Sequence, residues 1–242
     1  MIDKKETVTA AFVMIGDEIL SGRTEDKNLN FLAKSLTEFG ISLREVRVVP
    51  DIEEEIIKAV NEVRIKFDYV FTSGGIGPTH DDITALSIAK AFDDQLVQNK
   101  EATQILEHYY GAGNVNEARL KMAFVPKKAS LLDNPVSSAP GFRIGNVFVM
   151  AGVPKIFQAM YKAAKKELVA GKKVQSLEIK TSFTESIIAK DLENLQNKYQ
   201  QVTMGSYPFE GGTSLVFRSQ DYDALENAVK EMTEVLERIK AN

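Results

Sequence analysis

Tyr69–Thr84 reads YVFTSGGIGPTHDDIT. A short apolar run ends abruptly in three glycines, a proline and two acids, and a helical pattern, Ile83–Phe92, follows. A strand that runs through a glycine loop into a helix is half of a βαβ unit. The stretch before it has the same grammar. Thr9–Ile15 (TAAFVMI) is an apolar strand stopped by Gly16. Leu29, Leu32, Ala33, Leu36 and Phe39 then recur at helical spacing before Gly40. Leu43–Val49 is a second strand ending at Pro50. Asp51 is placed to cap a helix whose apolar face is Ile56, Ala59, Val60 and Val63. Three strands, each followed by a helix, predict an α/β fold: a mostly parallel sheet with helices on both faces.

Further along, Ala102–Tyr110 and Asn116–Ala123 read as helices. Phe142–Ile144 and Val147–Met150 flank Gly145-Asn146, a hairpin signal. Ile156–Leu168 is helical, and AGKK (Ala170–Lys173) reads as a linker. Beyond it the pattern is strand, helix, strand, strand, helix, a small α+β unit of βαββα order. The charge changes at the same place. Residues 174–242 hold 7 Lys+Arg against 11 Asp+Glu, whereas residues 1–173 hold 23 of each. Two domains are therefore expected, 1–173 and 174–242.

Composition narrows the function. With 44% hydrophobic residues the chain is too apolar to be disordered. A net charge of −4 argues against a general nucleic-acid binder. No apolar run approaches the roughly 20 residues that span a bilayer. The polar N-terminus MIDKKETV is unlike a secretory signal, so a cytoplasmic protein is expected, with neither membrane nor nucleic acid as partner. Without cysteine, thiolate metal sites and a cysteine nucleophile are excluded.

The chemistry is expected at three loops. In the first, Ser73, Gly74, Gly75 and Gly77 let a ligand approach the backbone, and successive amides plus a helix N-terminus favour a phosphate. Pro78, Thr79 and Thr84 complete that loop. Asp81 and Asp82 oppose an anion unless a divalent metal (Mg²⁺, Mn²⁺ or Co²⁺) bridges them to it. A tight loop with Asp82 as helix cap would need fewer of these residues. His80 is a candidate phosphate ligand or proton carrier, or a structural hydrogen-bonder; His108 reads as structural. The second loop is GDEILSG, Gly16–Gly22, which either brings Asp17 and Glu18 to the same sheet rim, where open parallel sheets bind ligands, or is a solvated acidic turn. The third is NPVSSAPGF, Asn134–Phe142, with Ala151–Pro154 (AGVP) behind it. Asn134, Pro140, Gly141, Gly152, Pro154 and Lys155 are its candidate contacts; two ordinary loops are the alternative.

Together these loops resemble the molybdopterin-binding domain family, and within it the competence/damage-inducible protein A branch, where GGxGPTHDDxT is specific. TESIIAKDL (Thr184–Leu192) and GSYPFEGGTSLVFR (Gly205–Arg218) resemble the small domain of that branch. The same module occurs at the N-terminus of eukaryotic FAD synthases. The resemblance implies a homo-oligomer that binds a phosphate-bearing nucleotide or pterin. It implies metal-dependent hydrolysis of a nucleotide pyrophosphate such as ADP-ribose, with Asp81 and Asp82 as catalytic and metal-holding residues. Molybdopterin binding, an adenylyltransferase-like step of molybdenum-cofactor synthesis, and binding without turnover are the alternatives. Two departures stand out. The amidase domain of longer members has no counterpart in these 242 residues. The acid usual two positions after the Thr of DDxT is replaced by Leu86.

Overall fold

The computed structural model describes residues 7–111 and 113–241. They form two compact units, the first ending at Gly171 and the second beginning at Lys172.

In the first unit, β1 (Val8–Ile15), β2 (Ile41–Val49), β3 (Tyr69–Ser73) and β8 (Val147–Met150) run parallel. β7 (Gly141–Ile144) and β6 (Ser130–Leu132) add antiparallel, giving the order β2-β1-β3-β8-β7-β6. The central strands are buried on both faces, which is why they read as unbroken apolar runs. Ala11, Val13, Ile15, Val70 and Val149 face one core, under α3 (Glu53–Arg64) and α4 (Thr84–Ala91). Ala10, Phe12, Met14, Phe71 and Phe148 face the other, under α2 (Asn28–Phe39) and α7 (Pro154–Ala164).

The β7–β8 hairpin turns at Gly145-Asn146, with a positive φ of 57° at Gly145. The Asn146 amide then donates to the carbonyls of Arg64 and Phe67, both at 2.9 Å. That pair of bonds ties the hairpin to the end of α3.

Several elements differ from expectation. Asp51 does not cap α3: Ile52 holds that position, and the Asp51 carboxylate accepts the Asp17 amide at 3.0 Å. Asp82 does not cap α4 either, where Ile83 precedes the first helical residue. The helix expected over Asn116–Ala123 is shorter, α6 (Glu117–Lys121). It and α5 (Lys100–Tyr110) rise from a small ribbon of β4 (Leu96–Gln98) and β5 (Phe124–Pro126) that the periodicity did not reveal. Two short elements, α1 (Asp17–Leu20) and β6, were also not predicted.

The second unit is β9 (Gln175–Thr181), α8 (Glu185–Lys198), β10 (Thr203–Phe209), β11 (Gly212–Ser219) and α9 (Tyr222–Ala241). Its antiparallel sheet has the order β10-β11-β9. Ile188, Leu195, Leu215, Phe217, Leu225 and Met232 fill its own core.

Candidate functional site

The parallel strands β1, β3 and β8 end together, and their following loops meet at one rim. The Gly74 amide donates to the carbonyl of Met150 at 3.1 Å, and the Gly16 amide to that of Val49 at 3.1 Å. Glycine is required here by the protein itself. A Cβ on Gly74 would lie 2.0 Å from the carbonyl oxygen of Ile15, and one on Gly75 would lie 2.1 Å from the Thr84 hydroxyl. A Cβ on Gly77 would meet the Asp82 carboxylate at 2.7 Å. Neighbouring protein atoms thus occupy the space that side chains at these positions would need. What the loop offers a ligand is main chain. No hydrogen bond among the described residues engages the amides of Gly75, Ile76 and Gly77. Thr84 is fully buried, with its hydroxyl against Gly75 and its amide bonded to the Gly75 carbonyl at 2.9 Å.

The acids take separate positions. One Asp82 oxygen accepts both the amide of Thr79 (2.8 Å) and its hydroxyl (2.5 Å), which closes the loop on itself. The side chain of His80 is almost fully exposed, with Nδ1 4.0 Å from an Asp81 oxygen. It forms no structural anchor, and His108 is likewise exposed on α5. Pro78 and Thr79 are exposed at the loop tip. Asp51 is the acid that sequence reasoning placed elsewhere. Burial pushes its carboxyl above the ordinary value, and the charges of Glu18, Asp17 and Asp81 push the same way, against the hydrogen bond from the Asp17 amide. Asp51 thus sits in an acidic rim with Asp17, Glu18 and Asp81, whose charges oppose its ionisation. Among the described residues no group of three or more His, Cys, Asp or Glu is arranged to hold a metal ion.

Glu18, Ser73, Gly152 and Pro154 are brought together around a small cleft of about 50 Å³. Asn28 lines it too. Its amide donates to the Gly152 carbonyl at 2.7 Å, while its buried side-chain oxygen has no partner. No sequence pattern singles out this residue, which stands at the start of α2. Lys155 is exposed on the first turn of α7, where Pro154 supplies no amide of its own. The Asn134 loop behaves differently. Its amide donates to Ser137 (2.7 Å) and to the Ala139 carbonyl (2.8 Å), and its oxygen accepts the Val136 amide (3.1 Å). Asn134 is thereby committed to its own loop. Gly141 sits within β7, where a Cβ would come 2.6 Å from the Val149 carbonyl. Pro140 lines an apolar pocket to which Ile76, Gly77, His80 and Asp82 of the loop also contribute.

Residues 11–170, which contain the whole rim, match the family model described as a probable molybdopterin binding domain. The chain belongs to this family. A crystal structure of the protein CinA, of unknown function, from Thermoplasma acidophilum shares this molybdopterin-binding fold. It is 35% identical, with a TM-score of 0.64, and the match covers 68% of this chain and 100% of that one. A protein of Archaeoglobus fulgidus is 33% identical over 93% of this chain and 96% of its own length. Residues 173–242 match the model of the FAD synthase middle domain. A Caenorhabditis elegans protein named "Probable FAD synthase" is 34% identical over 94% of this chain. The chain spans about half the length of that relative (50%). Among the described residues no helix is long and apolar enough to cross a membrane.

Proposed function

We propose that the first unit binds a phosphate-bearing nucleotide or pterin at the Ser73–Asp82 loop and hydrolyses a nucleotide pyrophosphate there. The observation that carries this reading is the run of three unpartnered amides, Gly75, Ile76 and Gly77, at the C-terminal end of a parallel strand. Successive free amides form an anion-binding concavity, and the site lies where parallel sheets take ligands. The acidic rim beside them repels a bare phosphate, which a divalent cation would offset. Asp81 and the second oxygen of Asp82 would be the residues to hold such a cation, since Mg²⁺ typically uses only one or two carboxylates in such sites. When bound, such a metal would polarise a phosphoryl oxygen and acidify its water. The chain itself would orient the diphosphate on the loop amides. Lys155, exposed on the first turn of α7, would be the cation to steady charge that builds on the leaving phosphate. Water oxygen bonds to one phosphorus, the bridging P–O bond breaks, and two phosphomonoesters leave.

ADP-ribose has the required bond. FAD has it as well, and the names of the FAD synthase relatives make FAD the second substrate to try. The test is release of phosphomonoester from either compound with Mg²⁺, Mn²⁺ or Co²⁺, in the wild type and in Asp82→Asn. Asn keeps an oxygen for Thr79, so the loop survives, while a charged metal ligand is lost. We expect kcat to fall on the order of 10²-fold or more. Equal rates in the two proteins, or no turnover by the wild type, would overturn the hydrolase. One observation favours a second reading, a molybdopterin-type binder or adenylyltransferase-like protein without this hydrolysis: Asp82 is already engaged by Thr79. Pterin fluorescence in the purified protein would support it.

A further inference from the structure

The antiparallel sheet of the second unit has two edges, β10 and β9, and they are finished differently. On β10 the amide of Met204 donates to the side-chain oxygen of Gln196 at 2.9 Å. Met204 lies opposite Phe217 in the β10–β11 ladder. Its outward amide marks this as a pair whose main-chain groups point away from each other, and the pattern alternates along both strands. The outward positions of β10 are therefore Met204, Ser206 and Pro208. The first amide is spent, and proline has none to give. The alternation carries across to β9. Phe217 turns its groups toward Leu177, and Leu215 and Thr213 turn theirs toward Ile179 and Thr181. Ser176, Glu178 and Lys180 thus direct their amides and carbonyls out of the sheet. No hydrogen bond among the described residues reaches those amides, and all three residues are exposed. An edge with neither proline nor a capping side chain is a template for another strand.

The charges on β9 select which strand. Charges of one sign along an edge keep other edges away. Here the signs alternate. Glu178 and Lys180 are two residues apart, so they stand on one face of the strand, the face where the Ser214 hydroxyl donates to Glu178 at 2.5 Å. An antiparallel copy of β9 centred on Ile179 sets each Glu178 opposite the Lys180 of the other copy. Both are outward positions, so each such pair exchanges two main-chain bonds and adds an opposite-charge contact. Ile179, packed only in part against the core of its own unit, meets its own copy, and Leu177 meets Thr181. A register centred on Glu178 would bring two carboxylates together, and one centred on Lys180 two ammonium groups. We propose that β9 pairs with β9 of a second copy of this chain, antiparallel and centred on Ile179, in one sheet shared by the two copies.

The test is sedimentation velocity on the full chain over a wide concentration range, because one strand a side is a small contact and the dimer a weak one. Wild type should self-associate. Glu178→Lys and Lys180→Glu each set like charges opposite one another, and each should weaken association on the order of tenfold or more. Both side chains are exposed, so the fold should survive, as circular dichroism checks. The two variants mixed in equal amounts should associate again, because the doubly basic edge of the first then faces the doubly acidic edge of the second. Both substitutions in one chain restore the alternation and should associate like wild type. A wild type that stays monomeric throughout overturns the proposal. So do single variants that associate as wild type does, which would place the contact elsewhere, or a mixture that associates no better than its parts.

Discussion

Gly75 shows how one hydrogen atom in place of a methyl sets the loop. Its φ of 65° is left-handed, and the Thr84 hydroxyl fills the space where a Cβ would go. Gly75→Ala should therefore cost about 1–3 kcal/mol from overpacking and strain together. Adding Thr84→Ala should recover the packing part and leave about 1 kcal/mol for the backbone. Urea unfolding of the two variants separates these contributions, and an undiminished cost in the double variant would refute the steric account. Tyr161 offers a second test. Its hydroxyl is buried without a partner, and burial first, then the charge of Glu38, pushes its pKa up from 10.0 to about 12. The folded state resists ionisation, so the associated stability is intact below pH 10 and is lost as pH rises toward 12. Tyr161→Phe should gain roughly 0–1 kcal/mol at pH 7. Above pH 10 it should keep stability that the wild type loses, as thermal melts across that range would reveal.

Among the elements, the β7–β8 hairpin depends on a bond its own sequence does not advertise. Asn146→Ala would strand the carbonyls of Arg64 and Phe67 and should cost about 1–3 kcal/mol. A cost near zero would mean that the turn alone holds the hairpin. The same contrast explains what was legible beforehand. β1, β3 and β8 are apolar on both faces, so their strands stood out. Gly145-Asn146 announced its turn. The three-residue strands β4, β5 and β6 are too short for any period to show. Asp51 misled because its partner, the Asp17 amide, lies 34 residues away, while a local cap was the nearer explanation. The glycines were legible as a loop, but the atoms that fill their empty sides come from Ile15, Thr84 and Asp82, and only the fold brings them there. Asn28 was invisible for the same reason: its bond to Gly152 crosses 124 residues.

At the scale of the molecule, the cores do not mix. The two clusters flanking the parallel sheet draw on residues up to Leu168, and the third draws only on residues from Leu177 onward. A chain ending at Gly171 should thus retain cooperative unfolding and its near-UV circular dichroism. A molten spectrum would show that the two units share stabilising contacts. The second unit, at about 70 residues, is small enough that its isolated stability should be marginal.

The filled sides of Gly74 and Gly75 also bear on how such a loop drifts over generations. Selection for folding alone would hold both glycines, because the scaffold clashes without them whether or not any ligand is used. Positions 80 and 81, exposed at the tip, carry no such burden. A library randomised across residues 73–82 and sorted only for stable expression should retain glycine at 74 and 75 and scatter at His80 and Asp81. Sorting the survivors a second time for catalysis would then mark out the residues kept for chemistry. Persistence of the glycines in a distant descendant would testify to inherited architecture, and persistence of Asp81 to a working site.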